Sequence, residues 1–385
     1  MKIRAAVLGF LAVIGLGVAS GAVGATGTAQ TVPAPKSAGG GSSIESRLPG
    51  YLANFLPFDP QTKVTVEKAP DKIPGFQSFK IKRTGKYAKL AVERTVHVSD
   101  DGKWYFDGDA MTNPTPTPVR SAADLGWLEG KVSALYHARA KAILTPERDA
   151  AGYKGVAIAI ETGYGPVRIP GYVSPDGSRY LGGVLWDFTM DPREERKRRI
   201  DLSTPRFQGN PNGAITMVEY ADMECPYCRY RGLQMDALLE ANPKLSYKRY
   251  YKFFVLWFNH AWAMKAASAA DCLFRFAGQA PMFGFKKHVY AQQPVMTVSS
   301  IDELALTESE AAGIAKQDFL ACYLRDESLA DVRKDIEEGQ RLGVKSTPTY
   351  FIDGTEVTWI EDTVMEDFLR TKDPSVKTID YGPKP

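Results

Sequence analysis

The chain has 385 residues, which is long for a single domain, so two or three domains are expected. Its hydrophobic content of 44% is ordinary for a globular protein, and 48 basic against 45 acidic residues leave a formal net charge of only +3. This near balance excludes the strongly basic composition typical of nucleic-acid-binding proteins, so no nucleic-acid partner is predicted.

The N-terminal segment has the pattern of an export signal. Lys2 and Arg4 precede an apolar stretch at residues 5–18 and then small residues, which predicts a signal peptide over residues 1–24. Residues 25–43 are rich in Gly, Ala, Ser, Thr and Pro, which predicts a flexible linker. The predicted location is periplasmic or extracellular. The alternative is an uncleaved segment that anchors the chain in a membrane.

A β-rich region with an internal repeat comes next. The sequence from Val98 to Gly108 aligns with that from Val173 to Gly183, 75 residues later, and each copy has an Asp-Gly turn before an aromatic strand. Such hairpins also recur by chance in β proteins. We predict two α+β repeats, each a helix followed by three or four antiparallel strands, over residues 44–120 and 121–190. The two predicted helical stretches are residues 43–55 and 122–144.

A charge-dense joint separates these repeats from the C-terminal part. Residues 191–203 mix acidic and basic side chains, and we interpret them as a solvated linker helix rather than a basic patch for an acidic partner. Residues 204–385 then alternate between strand and helix patterns, in the order β-α-β, a helical insert at about 260–342, and β-β-α.

The motif Cys225-Pro226-Tyr227-Cys228 lies between a predicted strand and a predicted helix. A cysteine at a helix N-terminus is stabilised as a thiolate, and a second one a turn later can close a strained, reducible ring. This arrangement favours a redox centre, while a zinc or copper site and an inert disulfide remain alternatives. Cys272 and Cys322 have no neighbouring ligand pattern, and the four histidines are scattered, so no metal is predicted.

The C-terminal part resembles the DsbA-like branch of the thioredoxin superfamily. The resemblance rests on the stretch from Glu219 to Cys228, the stretch from Gly343 to Gly354, and the small-residue stretch ending at Cys272. It implies an α/β thioredoxin-like fold with a helical insert. It also implies that Cys225 is the attacking thiol, that Cys228 is the resolving thiol, and that Thr347-Pro348 is a cis peptide beside them.

The same resemblance suggests roles for other side chains near the motif. Glu219 stands where such proteins carry a buried acid that handles the proton of the resolving cysteine. Pro226 and Tyr227 tune the redox poise, and because Tyr227 offers no positive charge, the pair should oxidise less strongly than a Cys-Pro-His-Cys motif. We assign His260 to the start of a helix, without a chemical role.

Cys-Pro-Tyr-Cys with a threonine before the loop proline also looks like the DsbG-type periplasmic proteins. Those proteins carry a cystatin-like dimerisation domain, which each β-rich repeat resembles weakly. A homodimer through the N-terminal region is the corresponding expectation, although this chain has two repeats rather than one.

Cys272 and Cys322 both fall in the predicted helical insert. A structural disulfide between them is the favoured interpretation. A second redox pair and two buried free thiols are the alternatives.

These features predict an exported protein disulfide oxidoreductase, acting as oxidase, reductase or isomerase. Its expected substrates are unfolded or misoxidised exported proteins, with an unidentified electron-exchange partner and no cofactor. The alternatives are a reductase of singly oxidised cysteines, a non-catalytic binding or chaperone protein with a vestigial dithiol, and a copper carrier.

Overall fold

The computed structural model describes residues 43–70 and 73–381. The predicted signal peptide and all of the predicted linker except Ser43 lie outside this range. Within it, no helix combines the length and the apolar character needed to cross a bilayer.

Two units with the same element order form the β-rich region. The first unit consists of α1 (Ile44–Phe55), β1 (Lys63–Ala69), β2 (Phe76–Thr84), β3 (Val92–Ser99), β4 (Trp104–Phe106) and β5 (Asp109–Thr112). The second unit consists of α2 (Gly126–Tyr136), β6 (Ala140–Leu144), β7 (Lys154–Thr162), β8 (Gly165–Val173), β9 (Arg179–Gly182) and β10 (Leu185–Asp187). The prediction of one helical stretch over 122–144 is wrong at its end. Ala140 and Ala142 are buried on either side of the exposed Lys141, which is the two-residue period of a strand.

The Asp-Gly turns of the two units have the same hydrogen bonds. In the first turn the Ser99 hydroxyl donates to Asp101 Oδ1 at 2.6 Å and accepts the N–H of Trp104 at 2.9 Å. In the second turn the Ser174 hydroxyl donates to Asp176 Oδ1 at 2.5 Å and accepts the N–H of Arg179 at 2.9 Å. The glycine that follows each aspartate has a positive φ, 66° at Gly102 and 73° at Gly177, which a side chain would oppose. The sequence repeat thus corresponds to a repeated local structure.

The two units exchange their last strands. β5 of the first unit pairs with β9 of the second, and β10 of the second pairs with β4 of the first, both antiparallel. The sheets are therefore ordered β1-β2-β3-β4-β10 and β5-β9-β8-β7-β6. A boundary near residue 120 divides the repeat in the sequence, but each sheet takes its fifth strand from the other unit.

The charge-dense joint is a helix, α3 (Pro192–Arg199), but it is not a solvated linker. Glu195 and Arg196 are buried, and the Arg196 guanidinium donates to the carbonyl oxygens of Asn54 and Gly354, each at 3.4 Å. Our interpretation of this segment as fully solvated is therefore wrong. A charge count alone does not show which face of a short helix meets a neighbouring domain.

The C-terminal part is a mixed sheet flanked by helices. Its sheet has the order β11-β13-β12-β14-β15, in which β12 and β13 are parallel and the other pairs are antiparallel. The strands are β11 (Phe207–Gly209), β12 (Ile215–Ala221), β13 (Tyr247–Phe253), β14 (Thr349–Ile352) and β15 (Thr355–Val357). α4 (Pro226–Ala241) follows β12, and α10 (Val364–Lys372) closes the domain. The helical insert consists of α5 (Ala263–Ala277), α6 (Gln279–Gln292), α7 (Val298–Ala311), α8 (Lys316–Cys322) and α9 (Asp326–Arg341).

Candidate active site

The dithiol lies at the start of α4, directly after the central strand β12. Cys225 is the N-cap residue of this helix and Pro226 occupies its first turn, where a missing N–H costs nothing. Both cysteines are free thiols, and Cys225 is 5% exposed while Cys228 is fully buried. Tyr227 between them is 71% exposed. A molecule in solution therefore reaches the pair from the side of Tyr227 and Cys225.

The loop before β14 faces the first cysteine. The Thr347–Pro348 peptide is cis, which confirms the prediction. Cys225 Sγ lies 3.5 Å from the carbonyl oxygen of Thr347. β14 begins at Thr349 and pairs with β12. One sheet therefore positions both the dithiol, which follows β12, and this loop, which precedes β14.

The two thiols differ in acidity. A hydrogen bond from Cys228 lowers the pKa of Cys225 to about 6, against the opposing effect of burial, with a smaller contribution from the Thr347 side chain. Burial raises the pKa of Cys228 well above its usual value, and the hydrogen bond and negative charge of Cys225 add to the rise. At neutral pH Cys225 is therefore a thiolate and Cys228 a thiol, and the thiolate is the nucleophilic form.

Glu219 is buried in an ionic cluster beneath the dithiol. Its Oε2 accepts from Arg249 at 2.7 and 3.0 Å and lies 4.0 Å from Nζ of Lys286, which is also buried. Its Oε1 accepts from the Tyr350 hydroxyl at 3.0 Å. Burial tends to raise the pKa of Glu219, but the charges of Arg249 and Lys286 outweigh it and lower that pKa. Glu219 is therefore held as a carboxylate, and its role in proton transfer stays a prediction.

A second group of polar contacts joins the motif to the loop between β13 and α5, residues 254–262, which we call the active-site loop. Asp222, fully buried, accepts from the Leu256 N–H at 2.8 Å, and its Oδ2 lies 2.7 Å from Nδ1 of His260. Glu224 accepts the N–H groups of Ala261 at 3.0 Å and Trp262 at 2.6 Å. The active-site loop is thereby fixed against the residues that lead into Cys225.

Sequence analysis missed this group. Our assignment of His260 to the start of a helix is wrong, because α5 begins at Ala263 and His260 lies in the loop before it. The missed contacts join Asp222 to a residue 38 positions away, and neither residue belongs to a short motif. The one available signal was a pair of acidic residues, Asp222 and Glu224, just before Cys225. Their negative charges would destabilise a thiolate at Cys225 unless a nearby cation offset them.

The remaining cysteines form a disulfide. Cys272 of α5 and Cys322 of α8 are bonded, as predicted, and tie two helices of the insert together across 50 residues. No group of three or more His, Cys, Asp or Glu side chains in the described part of the chain is arranged to hold a metal ion.

Comparisons with known proteins agree with this geometry. The family model described as thioredoxin matches residues 201–370, which include the dithiol, the cis peptide and the whole helical insert. The thioredoxin family model thus matches the C-terminal part of this chain. We refer to residues 201–370 as the thioredoxin domain, and its predicted thioredoxin-like fold is confirmed.

Individual relatives each align with less than half of this chain. A probable disulfide bond formation protein D of Bacillus anthracis is 22% identical over 181 residues, which are 45% of this chain and 81% of that protein. A Na(+)/H(+) antiporter NhaA 1 of Mycobacterium sp. (strain KMS) is 27% identical over 160 residues, 41% of this chain but only 25% of the antiporter. The chain thus spans about a quarter of the length of the first curated relatives it matches. Among solved structures, the thiol-disulfide exchange protein alpha-DsbA2 of Wolbachia pipientis is 19% identical with a TM-score of 0.39, over 47% of this chain and 94% of that chain.

Proposed function

We propose that the protein is a thiol–disulfide oxidoreductase that exchanges disulfides with exported protein substrates through Cys225 and Cys228. The observation that carries this proposal is the difference between the two thiols. One is an acidic thiol at a helix N-terminus beside the cis Thr347–Pro348 loop, and the other is buried with a raised pKa. The relative from Bacillus anthracis, a probable disulfide bond formation protein, supports the same class of reaction.

The proposed reaction begins with Cys225 and Cys228 joined as a disulfide. A substrate thiolate attacks Cys225 Sγ, which breaks the Cys225–Cys228 bond, forms a mixed disulfide and releases Cys228, which takes up a proton. A second substrate thiolate then attacks the substrate sulfur of the mixed disulfide and releases Cys225 as a thiolate. The substrate loses two electrons, and an electron-accepting partner, which is not identified here, must reoxidise the pair.

The direction of exchange follows from the stability of the reduced form. A thiolate that is stabilised at neutral pH is a good leaving group, so a low Cys225 pKa makes the disulfide more oxidising. The low pKa of Cys225 therefore favours oxidation of substrate thiols or rearrangement of substrate disulfides. A reductase of singly oxidised cysteines would use the same two thiols in the reverse direction.

Equilibration with glutathione tests the activity. The protein is incubated in buffers of graded reduced and oxidised glutathione, the thiols are trapped with acid and alkylated, and the masses are measured. We expect Cys225 and Cys228 to change state together while the Cys272–Cys322 disulfide stays intact. A pair that stays in one state across the whole series would rule out the enzyme and leave a binding or chaperone protein with a vestigial dithiol.

Trapping of the intermediate tests the assignment of the two cysteines. Cys228→Ser leaves the attacking thiol but removes the resolving one, so a mixed disulfide with glutathione should accumulate on Cys225. Cys225→Ser, the matched variant, should accumulate little adduct because Cys228 is buried with a raised pKa. The reverse pattern would exchange the two roles.

The predicted homodimer through the N-terminal region also remains a proposal. The two units already pair with each other inside one chain through the exchanged strands β5 and β10. Sedimentation of the full chain over a range of concentrations distinguishes a monomer from a dimer.

A further inference from the structure

One residue, Asp222, lies between His260 and the dithiol and contacts both. Its Nδ1 is 2.7 Å from Asp222 Oδ2. The backbone of Asp222 contacts both cysteines, since its N–H points to Cys228 Sγ at 3.4 Å and its carbonyl oxygen accepts the Cys225 N–H at 3.2 Å. The imidazole is therefore coupled to the residue that frames the motif.

The carboxylate of Asp222 would disfavour a thiolate if it stood alone. It is fully buried, and its negative charge tends to raise the pKa of both Cys225 and Cys228. The single positive charge of a protonated His260 offsets that negative charge. This lowers the free energy of the Cys225 thiolate.

The protonation of His260 is itself favoured by its surroundings. Burial alone would lower its pKa, but the hydrogen bond to Asp222 and the negative charges of Asp222, Cys225 and Glu224 outweigh burial and raise that pKa. The imidazole remains 16% exposed, so protons from water reach it. The titratable groups Asp222, Glu224 and Cys225 act on the imidazole.

The active-site loop holds the imidazole in place from two sides. On the side of the dithiol, Asp222 and Glu224 accept three backbone N–H groups of the loop. On the other side, Trp257 and Phe258 of the loop pack against Tyr136 of α2, with ring centroids 5.5 and 6.2 Å apart. A charge fixed in this way need not reorganise when the thiolate forms.

We propose that His260, held by Asp222, is a positioning residue that stabilises the Cys225 thiolate from outside the Cys-Pro-Tyr-Cys motif. In this chain Tyr227 occupies the motif position at which a Cys-Pro-His-Cys motif carries an imidazole, and the active-site loop supplies an imidazole instead. The proposal deepens the proposed function and rests on it only for its catalytic consequence, because the electrostatic coupling exists whether or not the pair turns over.

The first test compares two histidine variants. The Cys225 pKa is measured from the pH dependence of its alkylation by iodoacetamide in the full chain, in His260→Gln and in His288→Gln. His288 is the matched control, because it also contacts a carboxylate, Glu308 at 2.6 Å, but lies on the exposed surface of α6. We expect His260→Gln to raise the Cys225 pKa by about half a unit to one unit, which is about three- to tenfold less thiolate at acidic pH. An unchanged pKa, or an equal rise in His288→Gln, would overturn the proposal.

The second test measures the effect of Cys225 on the pKa of His260. It does not use His260→Gln, so it remains valid if that variant misfolds. Linkage requires that Cys225 raise the His260 pKa by as much as protonated His260 lowers the Cys225 pKa. NMR titration of the His260 ring in the reduced wild-type chain and in Cys225→Ser should therefore show a lower His260 pKa in the variant. Equal His260 pKa values in the two proteins would refute the coupling.

The outcomes for this inference and for the proposed function are distinct. Coupled pKa values together with no exchange of the pair with glutathione would remove the proposed function and keep the inference. Exchange with glutathione together with uncoupled pKa values would keep the function and remove His260 from it.

Discussion

The first and second units share their element order and their Asp-Gly turn, yet they contact the thioredoxin domain at different places. The first unit lies against the far edge of the sheet, where the N–H of Phe58 donates to the carbonyl oxygen of Glu356 in β15 at 2.7 Å. The second unit lies against the helical insert and the active-site loop. There Arg333 donates to the carbonyl oxygen of Tyr164 at 2.5 Å, and Tyr136 packs on Trp257.

This difference shows that two copies of one structural unit can contact the same domain in different ways. The strand exchange joins the units to each other, and both units contribute residues to one buried core with the thioredoxin domain. The hydrogen bond of the first unit is made to the edge strand β15, while the contact of the second includes the loop that carries His260. We therefore expect changes at the first contact to alter stability and changes at the second to reach the active site.

The largest effect on stability is expected at Arg196, which joins the first unit to the thioredoxin domain. Its buried guanidinium donates to the carbonyl oxygens of Asn54, Phe55 and Gly354. Replacing Arg196 by Met leaves these acceptors unpaired in a buried site, and we expect a loss of about 3–5 kcal/mol in the free energy of unfolding. Urea unfolding measures it. The control is Arg198→Met, which changes an exposed residue of the same helix. Equal losses of unfolding free energy in the two variants would contradict the role of Arg196 as a buried link between the domains.

A loss of similar size is expected from opening the disulfide of the helical insert. The Cys272–Cys322 bond closes a loop of 50 residues, and the double variant Cys272→Ala/Cys322→Ala should lose roughly 4 kcal/mol in urea unfolding. Because the bond ties α5 to α8, two helices of the insert other than the helix that carries the dithiol, the pH profile of Cys225 alkylation should not move. A shifted profile would indicate that the two cysteine pairs communicate.

These expectations also show what sequence alone could provide. The Cys-X-X-Cys spacing, the Thr347–Pro348 pair and the alternating strand and helix patterns are local features, so they predicted the thioredoxin fold and the place of the dithiol. The Arg249 and Lys286 partners of Glu219 come from another strand and from the insert, and no local pattern connects them to it.

The exchange of β5 and β10 escaped prediction for a related reason. Each strand has only three or four residues, and its partner lies about 70–80 residues away in the chain, so pairing is decided by the packing of the two sheets. The repeat itself was visible because its Asp-Gly turns are short, local and chemically distinctive.

A smaller loss of stability is expected from changes in the two Asp-Gly turns, and comparing the two losses tests how alike the two units are. Asp101 and Asp176 accept equivalent hydrogen bonds in equivalent turns, and those bonds lower the pKa of both carboxyl groups, against burial at Asp101. Asp101→Ala and Asp176→Ala should each cost about 1 kcal/mol of unfolding free energy at neutral pH. Because both folded-state pKa values are lowered, this contribution should be present at neutral pH and fade as the pH falls through those values. Clearly unequal losses would contradict the equivalence of the units.

A change in stability of about the same size is expected at Tyr136, where the second unit meets the active-site loop. Tyr136→Ala removes ring contacts with Trp257 and Phe258 that are worth about 0.5–1.5 kcal/mol, whereas Tyr136→Phe keeps them. We expect faster amide hydrogen exchange in residues 254–262 of the alanine variant alone. Unchanged exchange would show that the second unit does not fix the loop.

The central claim is that Cys225 is an activated thiolate and Cys228 a buried thiol. The most direct measurement is the pH dependence of iodoacetamide alkylation of the reduced protein, with the adducts located by mass spectrometry. Because the Cys225 pKa is lowered to about 6, modification of Cys225 should rise with pH, reach half its maximum near pH 6 and leave Cys228 unmodified. A midpoint near the ordinary thiol value of 9.0, or equal modification of both cysteines, would contradict the claim.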